Sequence, residues 1–167
     1  MKKIYLLALA VIGFSANSLA QVTATATATA TIITPISISN TLALQFKNIA
    51  VNGVAGTVSV DAITAVRAAT GGVTLPGGGL GQTANFVVAG SVGTTYSISI
   101  PGLDGVTLSN GVAANDMKMT PSCSIGLGAG SLASGTETFY VGGTLKVAAS
   151  QLAGSYTGTF NVAVIYN

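Results

Sequence analysis

The sequence predicts an all-β protein, a β-sandwich whose strands are joined by Greek-key links. Apolar and polar residues alternate along almost every segment, which is the period-two pattern of strands with one buried face. About ten short stretches of this kind are separated by turn signals rich in glycine, asparagine and serine, as is typical of sandwiches. Only residues 60–72 offer a weak helical periodicity, and we expect at most a short crossover helix there.

Residues 1–20 have the three parts of a secretory signal peptide. Two lysines precede an apolar run that ends at Phe14, and the small residues Ser18 and Ala20 occupy the cleavage positions. The run is too short for a membrane anchor, and no second long apolar run follows. We therefore expect cleavage before Gln21, no transmembrane segment afterwards, and export through the periplasm to the bacterial cell surface or an extracellular filament.

The chain that remains after cleavage has 167 − 20 = 147 residues, which is enough for one domain. Its four basic and four acidic residues give 4 − 4 = 0, because the formal net charge of +2 comes from the two signal-peptide lysines. A neutral surface gives no electrostatic reason to bind nucleic acid. It also resists self-association poorly, which suits a protein that packs against copies of itself.

Residues 21–35 form an unusually regular predicted strand, in which alanine alternates with threonine until Pro35 closes the run. From Val22 to Thr34 the strand would be about 43 Å long at roughly 3.3 Å per residue. Such a strand either crosses an edge of the chain's own sandwich or protrudes and pairs through its free backbone groups with another chain. In both cases one face carries Val22, Ala24, Ala26, Ala28, Ala30 and Ile32.

Residues 36–167 are predicted to form the sandwich domain. A glycine-rich loop is expected at residues 71–83. Residues 137–150 are predicted to be two short strands around Gly142 and Gly143, since paired glycines are a turn signal. The other strands are predicted at 57–62, 84–90, 94–101, 105–111, 116–120 and 155–167.

Residues for catalysis or for binding a cofactor are scarce. The chain has no histidine, so neither a Ser-His-Asp nor a Cys-His constellation can be built, and we expect neither an enzyme nor a cofactor or zinc site. Asp104 and Asp116 are interpreted as turn residues rather than as calcium ligands. Cys123 has no internal partner and is interpreted as a buried thiol, with an intermolecular bridge as the alternative.

The C-terminal strand carries large apolar residues on one face and a glycine near its start. This pattern resembles the closing motif of chaperone–usher pilins, and the residues that carry it are Gly154, Tyr156, Phe160, Val162, Val164 and Tyr166. The resemblance implies a fold that lacks its last strand and a groove that a neighbour's N-terminal extension completes. It also implies a periplasmic chaperone as a further partner. Two features depart from the pilin pattern: positions 24–30 offer only alanine on the apolar face, and no internal disulfide can form.

Almost the whole mature chain resembles a second group, an uncharacterised family of bacterial secreted β domains (a domain of unknown function). The residues that carry this resemblance are the "TPISIS" segment at 34–39 and the closing segment at 135–167. The family implies export and an immunoglobulin-like fold, with no known enzymatic activity.

Two functions from different classes remain open. The first is a secreted structural subunit of a surface filament or fimbria, a homopolymer formed by β-strand addition. The alternative is a monomeric surface adhesin or carbohydrate-binding module that uses loops such as 71–83. Tyr96, Phe139 and Tyr140 could form a sugar platform, but their places in alternating strands favour packing.

Overall fold

The computed structural model describes residues 21–100, 102, 105–128 and 130–167. The predicted signal peptide and Asp104 therefore lie outside the described residues. The chain divides into two compact units, Met1–Ile32 and Ile33–Asn167. In the first unit, residues 21–32 are exposed and carry no assigned strand.

The second unit is built almost wholly of β-strands, which confirms the all-β prediction. The one helical element of the described residues is a single 3-10 turn at Ala113–Asn115. The strands are β1 (Ser37–Leu42), β2 (Ala50–Val60), β3 (Arg67–Thr74), β4 (Ala84–Ala89), β5 (Thr94–Ser99), β6 (Val106–Leu108), β7 (Met117–Cys123), β8 (Gly130–Leu132), β9 (Thr136–Val147) and β10 (Ala163–Tyr166).

The strands form two antiparallel sheets in a sandwich-like arrangement. The larger sheet has seven strands, with the order β1-β4-β9-β2-β3 and with β6 joined to β9 through β7. The smaller sheet has the order β10-β5-β8. Among the described residues, β1 pairs only with β4 and β10 only with β5, so each has one free edge. The immunoglobulin-like Greek-key topology stays a prediction.

The core consists of two apolar clusters, and alternation along the strands supplies both of them. On β4 and β5, for example, Phe86, Val88, Tyr96 and Ile98 are buried and their neighbours are not. The first cluster is Phe46, Val58, Val60, Val73, Val106, Met117, Met119, Leu145 and Val147. The second cluster is Ala84, Phe86, Val88, Tyr96, Ile98, Ile100, Leu132, Phe139 and Val141.

The predicted turn at Gly142 and Gly143 is wrong, because β9 runs through both glycines without a break. A Cβ on Gly142 would lie 2.2 Å from the carbonyl oxygen of Val60, and one on Gly143 would lie 2.7 Å from Sδ of Met119. These glycines therefore allow close packing around the central strand rather than a reversal of the chain.

No helix forms within residues 60–72, where the sequence offered only a weak helical periodicity. The chain makes a tight turn after β2 and then enters β3 at Arg67. Asp61 holds the turn, since its Oδ1 accepts hydrogen bonds from the backbone N–H groups of Ile63 and Thr64 and from the Thr64 hydroxyl. A side chain that satisfies nearby backbone donors in this way favours a turn over a helix.

Both terminal strands are shorter than predicted. No strand is assigned to residues 21–36, and the first begins at Ser37. At the other end only Ala163–Tyr166 of the predicted strand 155–167 is paired, apart from an isolated bridge between Thr157 and Ser109. Alternation predicts which face of a segment is apolar, but a strand forms only where another strand supplies hydrogen bonds.

Candidate functional site

One end of the sandwich is closed by the last tyrosine. The Tyr166 hydroxyl donates a hydrogen bond to the carbonyl oxygen of Thr34 (2.7 Å) and accepts one from the backbone N–H of Ser91 (2.7 Å). Gly90 makes room for the ring, because a Cβ there would lie 2.2 Å from the hydroxyl oxygen. The start of β1, the β4–β5 turn and the end of β10 therefore meet at one point, which we call the closed end.

The other end of the sandwich is open. Residues 43–51 follow β1, residues 151–160 precede β10, and an apolar groove of about 1130 Å³ lies between these two rims. Its floor belongs to the first core cluster and consists of Val106, Leu108, Met117, Met119, Leu145 and Val147. We call this cavity the open-end groove.

Leu44 and Phe160 separate the groove from the closed end. Each packs against both core clusters, so they stand where the rims begin to diverge. The Phe160 ring meets Phe86 edge to face at a centroid distance of 6.4 Å, and Phe86 in turn stacks on Phe139 at 5.5 Å. Toward the closed end the second cluster fills the interior, whereas the open-end groove lies over the first cluster.

The rims have little regular pairing. Gln45 forms an isolated bridge with Gln82, and Thr157 forms one with Ser109. Within the described residues, only Ala50 and Val51 of the two rims belong to a strand. Backbone groups along an unpaired rim are able to hydrogen-bond an added strand, which is how extended peptides join sheet edges.

A buried arginine braces the first rim. Arg67 is 5% exposed, and its Nη1 donates to the carbonyl oxygens of Phe46 (2.8 Å) and Asn48 (3.0 Å). Its Nη2 donates to the carbonyl oxygens of Pro76 (3.4 Å) and Gly78, in the loop after β3. Its partners among the described residues are four carbonyl groups and no carboxylate, so backbone dipoles compensate the charge. The arginine thereby ties the rim to that loop.

Lys47 lies between the two rim carbonyl groups that Arg67 binds, and its φ is 59°. This left-handed conformation is unfavourable for a residue with a Cβ. The chain accepts it where Arg67 holds both neighbouring carbonyl groups. The first rim is therefore a fixed wall of the groove rather than a loose loop.

The chain was compared with known protein families, curated proteins and solved structures. Residues 36–166 match a family described as "Domain of unknown function (DUF4402)". The chain belongs to this family. Comparisons with curated proteins and with solved structures found no match. The resemblance to an uncharacterised family is thereby confirmed, while the pilin-like character of the end strands stays a prediction.

The predicted residues of the C-terminal strand fall into two groups in this DUF4402 domain. Gly154, Tyr156 and Phe160 line the open-end groove. Val162, Val164 and Tyr166 lie on the same alternating face but pack against the second core cluster. The structure thus places the first group at the open end and the second toward the closed end.

The predicted residues of the N-terminal strand lie outside the DUF4402 match. Within the described chain they contribute to no sheet, and the two largest are almost fully exposed: Val22 at 93% and Ile32 at 98%. The four alanines between them, at even positions 24–30, are exposed as well.

The floor and the first rim of the groove were missed in the sequence. Met117 and Met119 share a face in the alternation, and this indicates a buried side of β7 but no cavity. A groove depends on which distant segments flank that face, and no local pattern records this.

The other candidates supply no site. Cys123 is partly buried against the second cluster, and burial raises the pKa of its thiol. Tyr96 and Phe139 are fully buried and cannot form a sugar platform with Tyr140. Among the residues that the structure describes, no acidic, cysteine or histidine cluster could hold a metal, and no helix is suited to crossing a membrane.

Proposed function

We propose that this chain is a structural subunit of a bacterial surface filament that polymerises by β-strand addition. The observation that carries the proposal is the state of residues 21–35. Their sequence has the alternation of a strand, yet every one of them is exposed and none belongs to a strand within the described chain. A segment built as a strand and left without a partner suits pairing with another chain.

The rest of the domain supports the same function. A groove with an apolar floor and largely unpaired rims, and free edges on β1 and β10, would accept an added strand. The pilin-like pattern of the C-terminal residues is in keeping with this. The proposal includes export with cleavage before Gln21 and a periplasmic chaperone that shields the groove before assembly.

The carbohydrate-binding alternative has less support. Two of its three candidate aromatic residues, Tyr96 and Phe139, are buried in the second core cluster. Residues 71–74 of its candidate loop are part of β3, which leaves a shorter loop for a ligand.

The experiment compares the exported chain with a variant that lacks residues 21–32. N-terminal sequencing of secreted material should begin at Gln21, and negative-stain electron microscopy of the sheared surface fraction should reveal filaments that contain this chain. The variant should form none. A full-length chain that stays monomeric at high concentration, with residues 22–32 protected from hydrogen exchange within each monomer, would contradict the proposal.

A further inference from the structure

We propose that the outward surface of the larger sheet binds an acidic polysaccharide through the carboxylates of its sugar units. This activity goes beyond the proposed function. It uses neither the open-end groove nor the aromatic residues of the carbohydrate-binding alternative. The surface is formed by outward side chains of β2, β3, β6, β7 and β9, and we call it the outer face.

The strand register aligns the side chains of the outer face in two rows. The first row crosses five strands through direct cross-strand partners, in the order Thr107, Lys118, Lys146, Thr57 and Thr70. The second row lies two residues away on β7, β9 and β2 and contains Thr120, Thr144 and Ser59. All eight residues are exposed or half-buried. At roughly 4.8 Å per strand the first row extends for about 19 Å, so a linear polymer can lie along it.

Two lysines stand side by side in the first row. The chain after predicted cleavage has four basic residues, of which Arg67 is buried and Lys47, Lys118 and Lys146 are exposed. Two of the three exposed cations are therefore direct partners on neighbouring strands. Like charges placed opposite each other destabilise a sheet, so folding alone does not favour this arrangement. An anionic group bound between the two ammonium groups would relieve the repulsion.

The position of the pair also argues against the usual protective role of lysine in sheets. Lysines often guard free sheet edges against pairing with other chains. Here β9 is a central strand, and β7 lies between β6 and β9. Both lysines therefore project from the middle of the sheet, where the backbone is paired on both sides.

The neighbours of the lysines favour a sugar polymer over a membrane or a nucleic acid. The other six members of the two rows are threonine or serine, whose hydroxyls both donate and accept hydrogen bonds, as sugar hydroxyls do. The hydroxyls of Thr57 and Thr70 lie 2.8 Å apart, and Nζ of Lys118 donates to the Thr107 hydroxyl. None of the eight side chains is a large apolar group that could insert into lipid or an aromatic ring that could stack on a base.

One carboxylate moderates the charge of the lysine pair. Asp116 and Gln151 line a small cavity of about 240 Å³ together with both lysines. Asp116 is half-buried, and its Oδ1 lacks a hydrogen-bond partner among the described residues. Its negative charge weakens the attraction of the pair for an anionic polymer, so removal of that charge should strengthen binding.

Repetition along a filament compensates for the weakness of a single site. One copy offers two exposed cations to the polymer, and contacts of this kind are individually weak. In the filament proposed above, the outer face recurs on every copy, and one polysaccharide chain can bridge several of them. Linked weak contacts raise the overall affinity through avidity.

Binding of the exported chain to alginate, a linear polyuronate, tests the inference. The matched probe is carboxyl-reduced alginate of the same length, in which each carboxylate has become a neutral alcohol. Retention on the immobilised polymer should be strong for alginate at about 0.05 M salt, weak at about 0.5 M salt, and absent for the reduced polymer. Lys118→Gln together with Lys146→Gln should weaken alginate binding at least about fivefold, and Asp116→Asn should strengthen it about twofold.

Lys47→Gln is the matched control, because it removes the same charge from an exposed lysine on the first rim. It should change alginate binding by less than about twofold. Thr144→Val removes a hydroxyl from the second row without a change of charge. It should weaken binding as well, which a purely electrostatic patch would not show. The double lysine variant should be at least as stable to urea as the parent, so that its lost binding is not lost folding.

Three outcomes would overturn the inference. They are equal retention on carboxyl-reduced alginate, equal losses from Lys47→Gln and from the double lysine variant, and tighter binding to DNA or to phosphatidylglycerol vesicles than to alginate. Light scattering of the same proteins keeps this inference apart from the proposed function. Filaments that assemble normally without alginate binding would reject the outer face as a site and leave the filament function standing. Alginate binding by a chain that never assembles would do the reverse.

Discussion

Arg67 is one of the few charged residues of this domain, and it has a structural role. Arg67 is buried, and within the described part of the chain it binds no carboxylate: four carbonyl groups surround its two terminal nitrogens. Its Nε has no hydrogen-bond partner among the described residues, so even this site is incompletely satisfied. The charge is tolerated because the carbonyl dipoles of two segments, the first rim and the loop after β3, point at the guanidinium.

Replacing Arg67 should therefore destabilise the domain through its backbone. Arg67→Met removes the hydrogen bonds to Phe46 and Asn48 and leaves their carbonyl groups without a donor, which should lower the free energy of unfolding by about 3 kcal/mol. Urea denaturation measures the change. The exposed Lys146→Met is the matched control and should shift stability by less than about 0.5 kcal/mol. Equal effects of the two substitutions would contradict the role given to Arg67.

Tyr96 makes stability depend on alkaline pH. The side chain is fully buried and its hydroxyl donates to Oε2 of Glu137 (2.8 Å), and burial first, then this carboxylate, raises the pKa above 10.0. Between the unfolded and folded pKa values the unfolded chain loses the proton while the folded chain keeps it. The contribution of Tyr96 is thus fully present below pH 10 and declines as the pH rises above it.

Tyr96→Phe should consequently change the slope of stability with pH. The variant should be less stable than the parent at pH 7, because Glu137 loses one donor, yet it should lose less stability between pH 9 and pH 11. The free energy of unfolding is measured by denaturant titration at each pH. Both proteins carry Cys123→Ser, since burial also raises the pKa of that thiol and its titration would add to the alkaline response. Parallel curves for the two proteins would refute the assignment to Tyr96.

Among the elements, the sequence predicts best the strands that alternate clearly and are joined by a short turn. β4 and β5 appear within the predicted ranges 84–90 and 94–101, because alternation and the intervening turn are both local. β9 was divided wrongly, since paired glycines indicate either a turn or a close contact and only the neighbouring strands decide between them. The open-end groove was not predictable, because its walls come together only in the folded domain.

Two glycines of the second rim test whether a glycine is needed for close contact with a neighbouring strand. A Cβ on Gly158 would lie 2.2 Å from the carbonyl oxygen of Thr107, whereas one on Gly154 would meet nothing closer than 3.8 Å. Gly158→Ala should therefore cost about 1–3 kcal/mol of stability, while Gly154→Ala should be nearly neutral. Thermal unfolding of the two variants beside the parent measures the difference. A larger cost for Gly154→Ala would contradict the description of this rim.

For the molecule as a whole, neutrality is the property that bears most on assembly. Residues 21–32 contain no charged residue, and among the described residues Lys47 is the only charged one that lines the groove. The chain after predicted cleavage has no net charge either, so subunits neither attract nor repel each other strongly at a distance. Burial of apolar surface and backbone hydrogen bonds are left to drive the association.

Assembly should accordingly depend little on salt. The Debye length falls from about 10 Å at 0.1 M to about 3 Å at 1 M salt, which would slow a charge-steered association markedly. Here we expect light scattering to show less than about a threefold change in the rate of filament growth over that range. Lys47→Glu serves as a comparison. It should not make the rate of filament growth strongly dependent on salt, because residues 21–32 are uncharged. A rate that falls tenfold or more would point to a charged contact outside the groove.

The separation of the closed end from the open end has an arithmetic consequence. When residues 21–32 of each copy fill the groove of the next copy, a linear array of any length always retains one empty groove and one unused N-terminal segment. The empty groove leaves Leu152, which is 58% exposed, uncovered at a single terminus, so the penalty per copy shrinks as the array lengthens. Short arrays are therefore the least stable species. The empty groove of the first copy needs a different molecule to cover it, one that offers an alternating strand and has no groove of its own.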